Sequence, residues 1–187
     1  MIKYAAFLRG INVGGHKIIK MEELKRAFES LGFKDVKTLL ASGNVIFTAP
    51  SASESALVNK IEKKLEAVFG REIGVLVRKV DELQRLADAE PFAGIKVTPQ
   101  TRLYVTFLSE KSKSSLKIPY ESPDKNFRIT RVTGSEVCSV LTLSPDSRTI
   151  DLMSIVGKEF GSNITTRNWN TIDKILKTSA AKPKAGK

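Results

Sequence analysis

The residues best suited to chemistry cluster near the start of the chain, in Leu8-Arg9-Gly10-Ile11-Asn12-Val13-Gly14-Gly15-His16-Lys17. A guanidinium such as that of Arg9 grips phosphate or carboxylate through two parallel hydrogen bonds. Asn12 offers a neutral donor and acceptor, and Lys17 adds a second positive charge. Gly10, Gly14 and Gly15 accept positive φ and let another group approach the backbone closely. Apolar residues from Ala5 to Leu8 lead into the stretch, and an amphipathic helical pattern leaves it from Met21. A strand, a glycine turn and a helix in that order set unpaired N–H groups and positive potential at a helix N-terminus, which suits an anion. The same order also serves as a tight connection that holds no ligand.

Two nucleotide signatures come close and fail. Gly10 and Gly15 have P-loop spacing, but His16 stands where that motif needs Lys, and no Ser or Thr follows Lys17 to reach a magnesium ion. The three-glycine dinucleotide pattern is absent as well. Neither a standard NTPase nor a Rossmann enzyme is expected, and we expect no cofactor.

The elements that must position these residues follow from periodicity. Lys3 to Arg9 reads as a strand, and Met21 to Leu31 as a helix with Met21, Leu24, Phe28 and Leu31 on one face. Glu22 and Glu23 suit its first turn, and Gly32 its stop. Val36 to Leu40 and Val45 to Thr48 read as strands joined by the turn Ala41-Ser42-Gly43-Asn44. Ser53 caps a second helix whose stripe is Leu57, Ile61, Leu65, Val68 and Phe69, and Gly74 to Arg78 is a fourth strand. This β-α-β-β-α-β order is the split motif of ferredoxin-like folds. In it the first two strands run parallel, so Arg9, Gly10 and Asn12 belong at one sheet edge with Ser42, Gly43 and Asn44.

A short linking helix from Asp81 to Ala87 ends near Pro91, and a second block follows. Arg102 to Leu108 is a strand. The polar stretch from Lys111 to Asn126 has room for one short helix. Phe127 to Val132 and Glu136 to Leu143 form a hairpin about Thr133-Gly134-Ser135, Pro145-Asp146 is a turn, and Thr149 to Phe160 is a helix. A short helix follows the block Thr165 to Thr171 and runs through Leu176. The expected fold class is α+β: two ferredoxin-like subdomains, residues 1–79 and a degenerate 101–177, joined by 80–100, with mainly antiparallel sheets and helices on one face. The Ala-, Pro-, Gly- and Lys-rich tail 178–187 is expected to be disordered.

Composition narrows the function classes. Hydrophobic residues make up 41% and charged residues 27% of the 187, ordinary values for a soluble globular chain. No apolar run is long enough to span a membrane, no basic-then-apolar signal segment opens the sequence, and the single cysteine cannot form an internal disulfide. We therefore expect a cytoplasmic protein of bacterial type. Formal net charge is +11, with 15 basic and 12 acidic residues up to Ile95 against 16 and 8 from Lys96 onward. A basic C-terminal half favours polyanions or phosphorylated ligands through long-range attraction.

With one histidine and one cysteine, a structural zinc site lacks ligands, and no metal is expected. His16 follows two glycines in a loop, which suits a solvated surface histidine better than an acid–base group. Cys138 lies inside an apparent strand and reads as a buried small hydrophobe. Ser42 is the best spatial partner for His16 if a hydroxyl nucleophile exists at all. Arg167 joins Arg9 as a candidate anion ligand, Trp169 reads as a core anchor, and Asn168 or Asn170 as a cap of the last helix. Phe7, Phe47, Tyr104 and Phe107 sit on strands, and core packing is preferred over an RNA platform because the sequence lacks that module's signature.

The motifs Leu8-Arg9-Gly10-Ile11-Asn12-Val13-Gly14-Gly15, Leu31-Gly32-Phe33, Ser42-Gly43-Asn44-Val45 and Thr166-Arg167-Asn168-Trp169-Asn170-Thr171 resemble the bacterial family of domain of unknown function 1697. The resemblance extends from Ile2 to about Lys177. It implies a cytosolic α+β protein with ferredoxin-like subdomains and no established activity, and it associates the closing block with the first rim. The chain departs from the family pattern in having Leu39 where a Tyr is common, Ala41 where a Gln is common and Lys20 where a Pro is common.

The leading expectation is a protein that binds an anionic or phosphate-bearing ligand, a small molecule or a nucleic acid. Its rim is Arg9, Gly10, Asn12, Gly14, Gly15, Ser42, Gly43 and Asn44, joined by Arg167, Asn168 and Asn170. The alternatives are an enzyme on a small phosphorylated substrate at the same rim, a nucleic-acid-binding module, and a purely structural interface between subdomains.

Overall fold

A computed structural model describes residues 1–12, 18–143 and 152–181, with the side chains of 152–155 left aside. The described residues form two compact units: Met1–Arg85 together with the chain from Asp173, and Leu86–Ile172.

The first unit runs β1 (Ile2–Leu8), α1 (Met21–Glu29), β2 (Lys34–Leu39), β3 (Asn44–Ala49), α2 (Glu54–Phe69), β4 (Val75–Lys79) and α3 (Val80–Asp88). Its four strands lie in the order β2-β3-β1-β4, with all neighbours antiparallel. Both β1 and β2 are antiparallel to β3, so they run parallel to one another, as the β-α-β-β-α-β order requires.

The helices begin and end where their sequences dictate. The Ser53 hydroxyl accepts a hydrogen bond from the Ala56 N–H at 3.2 Å and starts α2. Gly70 ends α2 in the left-handed conformation, with φ 69°. Leu24, Ala27 and Phe28 of α1 and Leu57, Ile61 and Leu65 of α2 are buried against Tyr4, Ala6, Leu8, Val45 and Phe47. Val68, placed on the apolar stripe by its spacing, is instead 47% exposed, while its neighbour Phe69 packs against the core. The opposite sheet face is closed to solvent too, since Ala5, Phe7, Ile46 and Leu76 are also buried.

Phe47 is the hub of the core. Its ring stacks on Phe33 at 4.5 Å and on Tyr4 at 5.5 Å, and meets the edge of Phe28 at 5.6 Å. Rings in such pairs stabilise each other beyond the area they bury.

The second unit holds β5 (Thr101–Leu108), β6 (Tyr120–Glu121), β7 (Phe127–Val132), β8 (Glu136–Thr142), α4 (Leu152–Phe160) and β9 (Ile164–Asn168). The sheet order is β6-β7-β8-β5-β9. Without the short β6, this repeats the order of the first sheet. Phe127, Ile129, Val137 and Leu141 pack with Val156 of α4 on one face.

Three sequence expectations change here. No helix forms between Lys111 and Asn126: the Ser112 and Ser114 hydroxyls accept from the Ser114 and Leu116 N–H groups, and local bonds of this kind compete with a helix. The stretch 164–168, read only as a lead-in to the last helix, is strand β9, held by pairing with β5 and by a 2.7 Å hydroxyl contact between Thr106 and Thr166. The last helix, α5 (Trp169–Ala180), runs past Leu176, so Thr178, Ser179 and Ala180 are helical rather than disordered. The Lys3 ammonium donates to the Ser179 carbonyl, a favourable cation at a helix C-terminus. The expected Pro145-Asp146 turn, the first residues of the expected 149–160 helix and the tail beyond 181 lie outside the described residues.

Replacing Phe47 with Ala removes three ring contacts at once. We expect a loss of about 4 kcal/mol in urea unfolding, and an effect below about 1 kcal/mol would show that the cluster is not the keystone described.

Candidate functional site

The rim is built from the end of β1. Phe7 pairs with Asn44, and the Leu8 N–H donates to the Gly43 carbonyl at 2.8 Å, so Arg9 and Asn44 lie at the same end of the sheet. Gly43 has φ 77°, and a Cβ there would meet Ile11 Cδ1 at 2.6 Å and Leu8 Cβ at 2.9 Å. Only glycine meets both demands. Asn44 is fully buried and donates to the Leu39 carbonyl at 3.0 Å and the Ser42 hydroxyl at 3.1 Å, which braces the bend from inside.

Asn12 is a clasp. Its amide donates to the Ile19 carbonyl at 3.2 Å and the Ala41 carbonyl at 2.8 Å, and its oxygen accepts the Ile19 N–H at 2.8 Å. Asn12 itself adopts φ 57°, a conformation Asn tolerates better than most residues. The clasp ties the segment leaving β1, the entry to α1 and the β2–β3 bend into one rim. Gly14, Gly15 and His16, with Val13 and Lys17, lie outside the described residues.

Arg9 goes to the other flank of β1. Its N–H donates to the Gly74 carbonyl at 2.8 Å, and its side chain runs over Gly74, with Cδ 3.3 Å from where a Cβ would stand. Gly74 lines a hollow of about 350 Å³ with Glu62, Glu66 and Glu72. The guanidinium is thus carried toward a carboxylate-rich surface, away from the Ser42–Asn44 bend. Gly10, at φ 60°, faces open space.

In the sequence Lys20 stands out only as a departure from the family pattern, where a Pro is common. It is the N-cap of α1, and no side-chain hydrogen bond caps the helix there. The signal was available, since none of Ile18, Ile19 and Lys20 is a capping type. Among the described residues, no N-cap side chain closes the first N–H groups of α1 at the rim.

Arg167, Asn168 and Asn170 belong to the second unit. Arg167 Nη1 donates to the Thr165 hydroxyl at 2.7 Å and the Thr166 carbonyl at 2.9 Å, and burial pulls the guanidinium down to about 10, still protonated at neutral pH. The Asn168 side-chain oxygen accepts the Asn170 N–H at 2.9 Å and caps α5, one of the two cap assignments the sequence offered. Trp169 meets Phe92 edge-on at 5.2 Å, and Asn170 is exposed.

The strand aromatics are core: Phe7, Phe47 and Phe107 are fully buried. Cys138 is buried, and desolvation pushes its thiol up to about 12, outweighing Arg131, which acts in the opposite direction. Among the described residues, no group of three or more His, Cys, Asp and Glu side chains is placed to hold a metal ion. No helix among them is long and apolar enough to cross a membrane.

The family model described as Protein of unknown function (DUF1697) matches residues 1–137. The chain belongs to this DUF1697 family. The match takes in the rim and stops short of the Arg167–Asn170 block. No curated protein matches the chain. Among solved structures, the conserved bacterial protein SP0830 from Streptococcus pneumoniae is similar, with 22% identity, a TM-score of 0.68, and 95% of this chain and 98% of that one covered. At that identity the likeness speaks for the fold alone, and it extends through both α+β units.

Two outcomes follow. Gly43→Ala should cost about 2 kcal/mol from positive φ and crowding against Leu8, read from the denaturant midpoint; an unchanged midpoint contradicts the close approach. Because the folded state holds the Cys138 thiol neutral, its contribution is intact below about pH 9, the ordinary thiol value, and is lost as pH rises toward about 12. The stability difference between wild type and Cys138→Ala should shrink over that window, and native Cys138 should resist thiol reagents until the protein unfolds. Rapid labelling of the folded protein would contradict this.

Proposed function

We propose that this DUF1697 protein binds an anionic, phosphate-bearing ligand at the first-unit rim, where α1 begins. The observation that carries the reading is the N-terminus of α1, which starts at Lys20 without a side-chain cap and is held at the rim by the Asn12 clasp. Backbone N–H groups and the helix dipole there attract an anion and the Lys20 ammonium adds to the field, against the Glu22 and Glu23 carboxylates of the first turn, of which Glu22 pairs with Arg26 at 3.6 Å.

Charge placement supports the same reading. From Leu86 to Ile172 the chain has 11 basic and 9 acidic residues, a net +2. The remaining +9 of the total +11 lies in Met1–Arg85 and from Asp173 onward. Of the +8 counted from Lys96 onward, half lies between Lys96 and Ile172 and half from Asp173 onward.

The side chains take different parts from those expected. Asn12, Ser42 and Asn44 hold the bend and the loop ends together, so the ligand is met by the backbone and Lys20. The Asn12 and Asn44 hydrogen bonds lie inside one unit and so do not support an interface between subdomains. Ser42 is already an acceptor for Asn44, which favours binding over a nucleophilic hydroxyl.

Inorganic phosphate, pyrophosphate and ADP at matched ionic strength should raise Tm. Free ligand at a hundred times its Kd adds about 2.7 kcal/mol. Lys20→Glu should diminish the shift while leaving the unliganded Tm in place. No shift with any of the three, or a shift that Lys20→Glu leaves undiminished, overturns the reading. Binding confined to oligonucleotides, falling steeply with salt, would move the function to nucleic acid.

A further inference from the structure

The second unit carries a hollow of about 200 Å³ that no part of the rim uses, and Lys96, Thr101, Lys125, Arg128 and Thr142 line it. Its floor is one face of the second sheet. Thr101 pairs with Thr142, and Arg128 pairs with Val140. Side chains alternate along a strand, so these four share a face while Phe127 and Leu141 turn into the core on the other. The wall is the segment around Gly94, Ile95 and Lys96. The chain just before that segment is tied to β7, where the Thr130 hydroxyl donates to the Pro91 carbonyl at 3.1 Å and Arg131 to the Ala89 carbonyl at 3.3 Å.

Charge in the hollow is one-sided. Among the described residues, no carboxylate lines it. Two of the described carboxylates stand nearby, and both are engaged. Glu121 accepts from Arg128 Nη2 at 2.7 Å. Asp124 accepts from the Ser122 hydroxyl at 2.6 Å and from the Asn126 N–H and side-chain amide at 3.2 Å each. Those bonds brace the 122–126 loop that presents Lys125, whose own N–H donates to the Ser122 carbonyl at 2.8 Å. Among the described residues, no carboxylate pairs with the ammonium of Lys96 or Lys125. Two uncompensated ammonium groups, one guanidinium and the Thr142 hydroxyl thus converge on one small concavity, while the Thr101 hydroxyl accepts from the Thr98 N–H and donates to the Lys96 carbonyl, bracing the wall. Ammonium groups recognise phosphate as point charges, and a guanidinium through directed hydrogen bonds.

The geometry points to a second anion site, for a small phosphate monoester, in this hollow. At about 200 Å³ and open to solvent, the hollow seats a phosphate with a short carbon skeleton. The site rests on the second unit alone and does not depend on the reading of α1.

Calorimetric titration of the full-length protein with glycerol 3-phosphate tests it, performed in the Lys20→Glu background so that binding at the α1 rim is diminished. One equivalent should bind. Adding Lys96→Ala and Lys125→Ala should weaken that binding at least tenfold without changing Tm, since both lysines are exposed, and Lys96→Arg with Lys125→Arg should restore most of it. No binding in the Lys20→Glu protein, or binding indifferent to the two alanines, overturns this site and leaves the α1 reading standing or falling on its own test. Binding of an oligonucleotide but not of the monoester would also overturn it.

Discussion

The approach of Gly43 to Leu8 and Ile11 governs the first unit. It lets the bend between β2 and β3 settle directly onto the end of β1, where a side chain of any size would hold the two apart. The bond from the Leu8 N–H to the Gly43 carbonyl then continues the β1–β3 ladder one step past the last paired residues. Once the bend sits there, the Ala41 carbonyl is within reach of Asn12, and the Ile19 backbone can be drawn to the same amide. The placement of α1, and of its open N-terminus, follows from that chain of contacts.

The same strand order appears twice with different coverings. In the first sheet both connections that cross between parallel strands are helical, and the helices bury Leu24, Phe28, Ile61 and Leu65. In the second, the corresponding first connection lacks an apolar stripe. Its serines bond to nearby N–H groups, and the chain adds a two-residue edge strand instead. The sheet keeps its order because strand pairing and the Phe127–Leu141 core do not depend on that helix. On the other face of this sheet, the 94–96 segment and the 122–126 loop bring their lysines together.

Polar residues that look reactive in sequence divide by the demands of burial. Asn44 lies inside, so its amide must bond to whatever the bend offers, and it finds the Leu39 carbonyl and Ser42. Asn12 is spent on the loop that contains it. Arg9 follows its strand to the flank where Glu62, Glu66 and Glu72 stand. Lysines on exposed turns have no such obligation, and Lys20, Lys96 and Lys125 keep their charges available to solutes.

Much of the fold was legible because its signals are local. Short apolar runs marked β1, β3 and β4, the helical stripe marked α1 and α2, and Ser53 marked the start of α2. The split topology, once recognised, also placed Arg9 and Asn44 at one edge. β9 was missed because Thr165, Thr166 and Arg167 show no apolar alternation, and their strand exists only by pairing with β5. The direction of Arg9, the employment of Asn12 and the gathering of Lys96, Lys125 and Arg128 were likewise beyond sequence. Each is settled by partners far along the chain, as with Asn12 and Ala41, which are 29 residues apart. The amino-acid order by itself determined the α+β class, the core faces and the glycine bend, since periodicity and backbone freedom are properties of neighbouring residues. Only the tertiary structure decided which polar groups are consumed and which remain open, because that depends on which backbone and side-chain atoms folding brings within hydrogen-bonding distance.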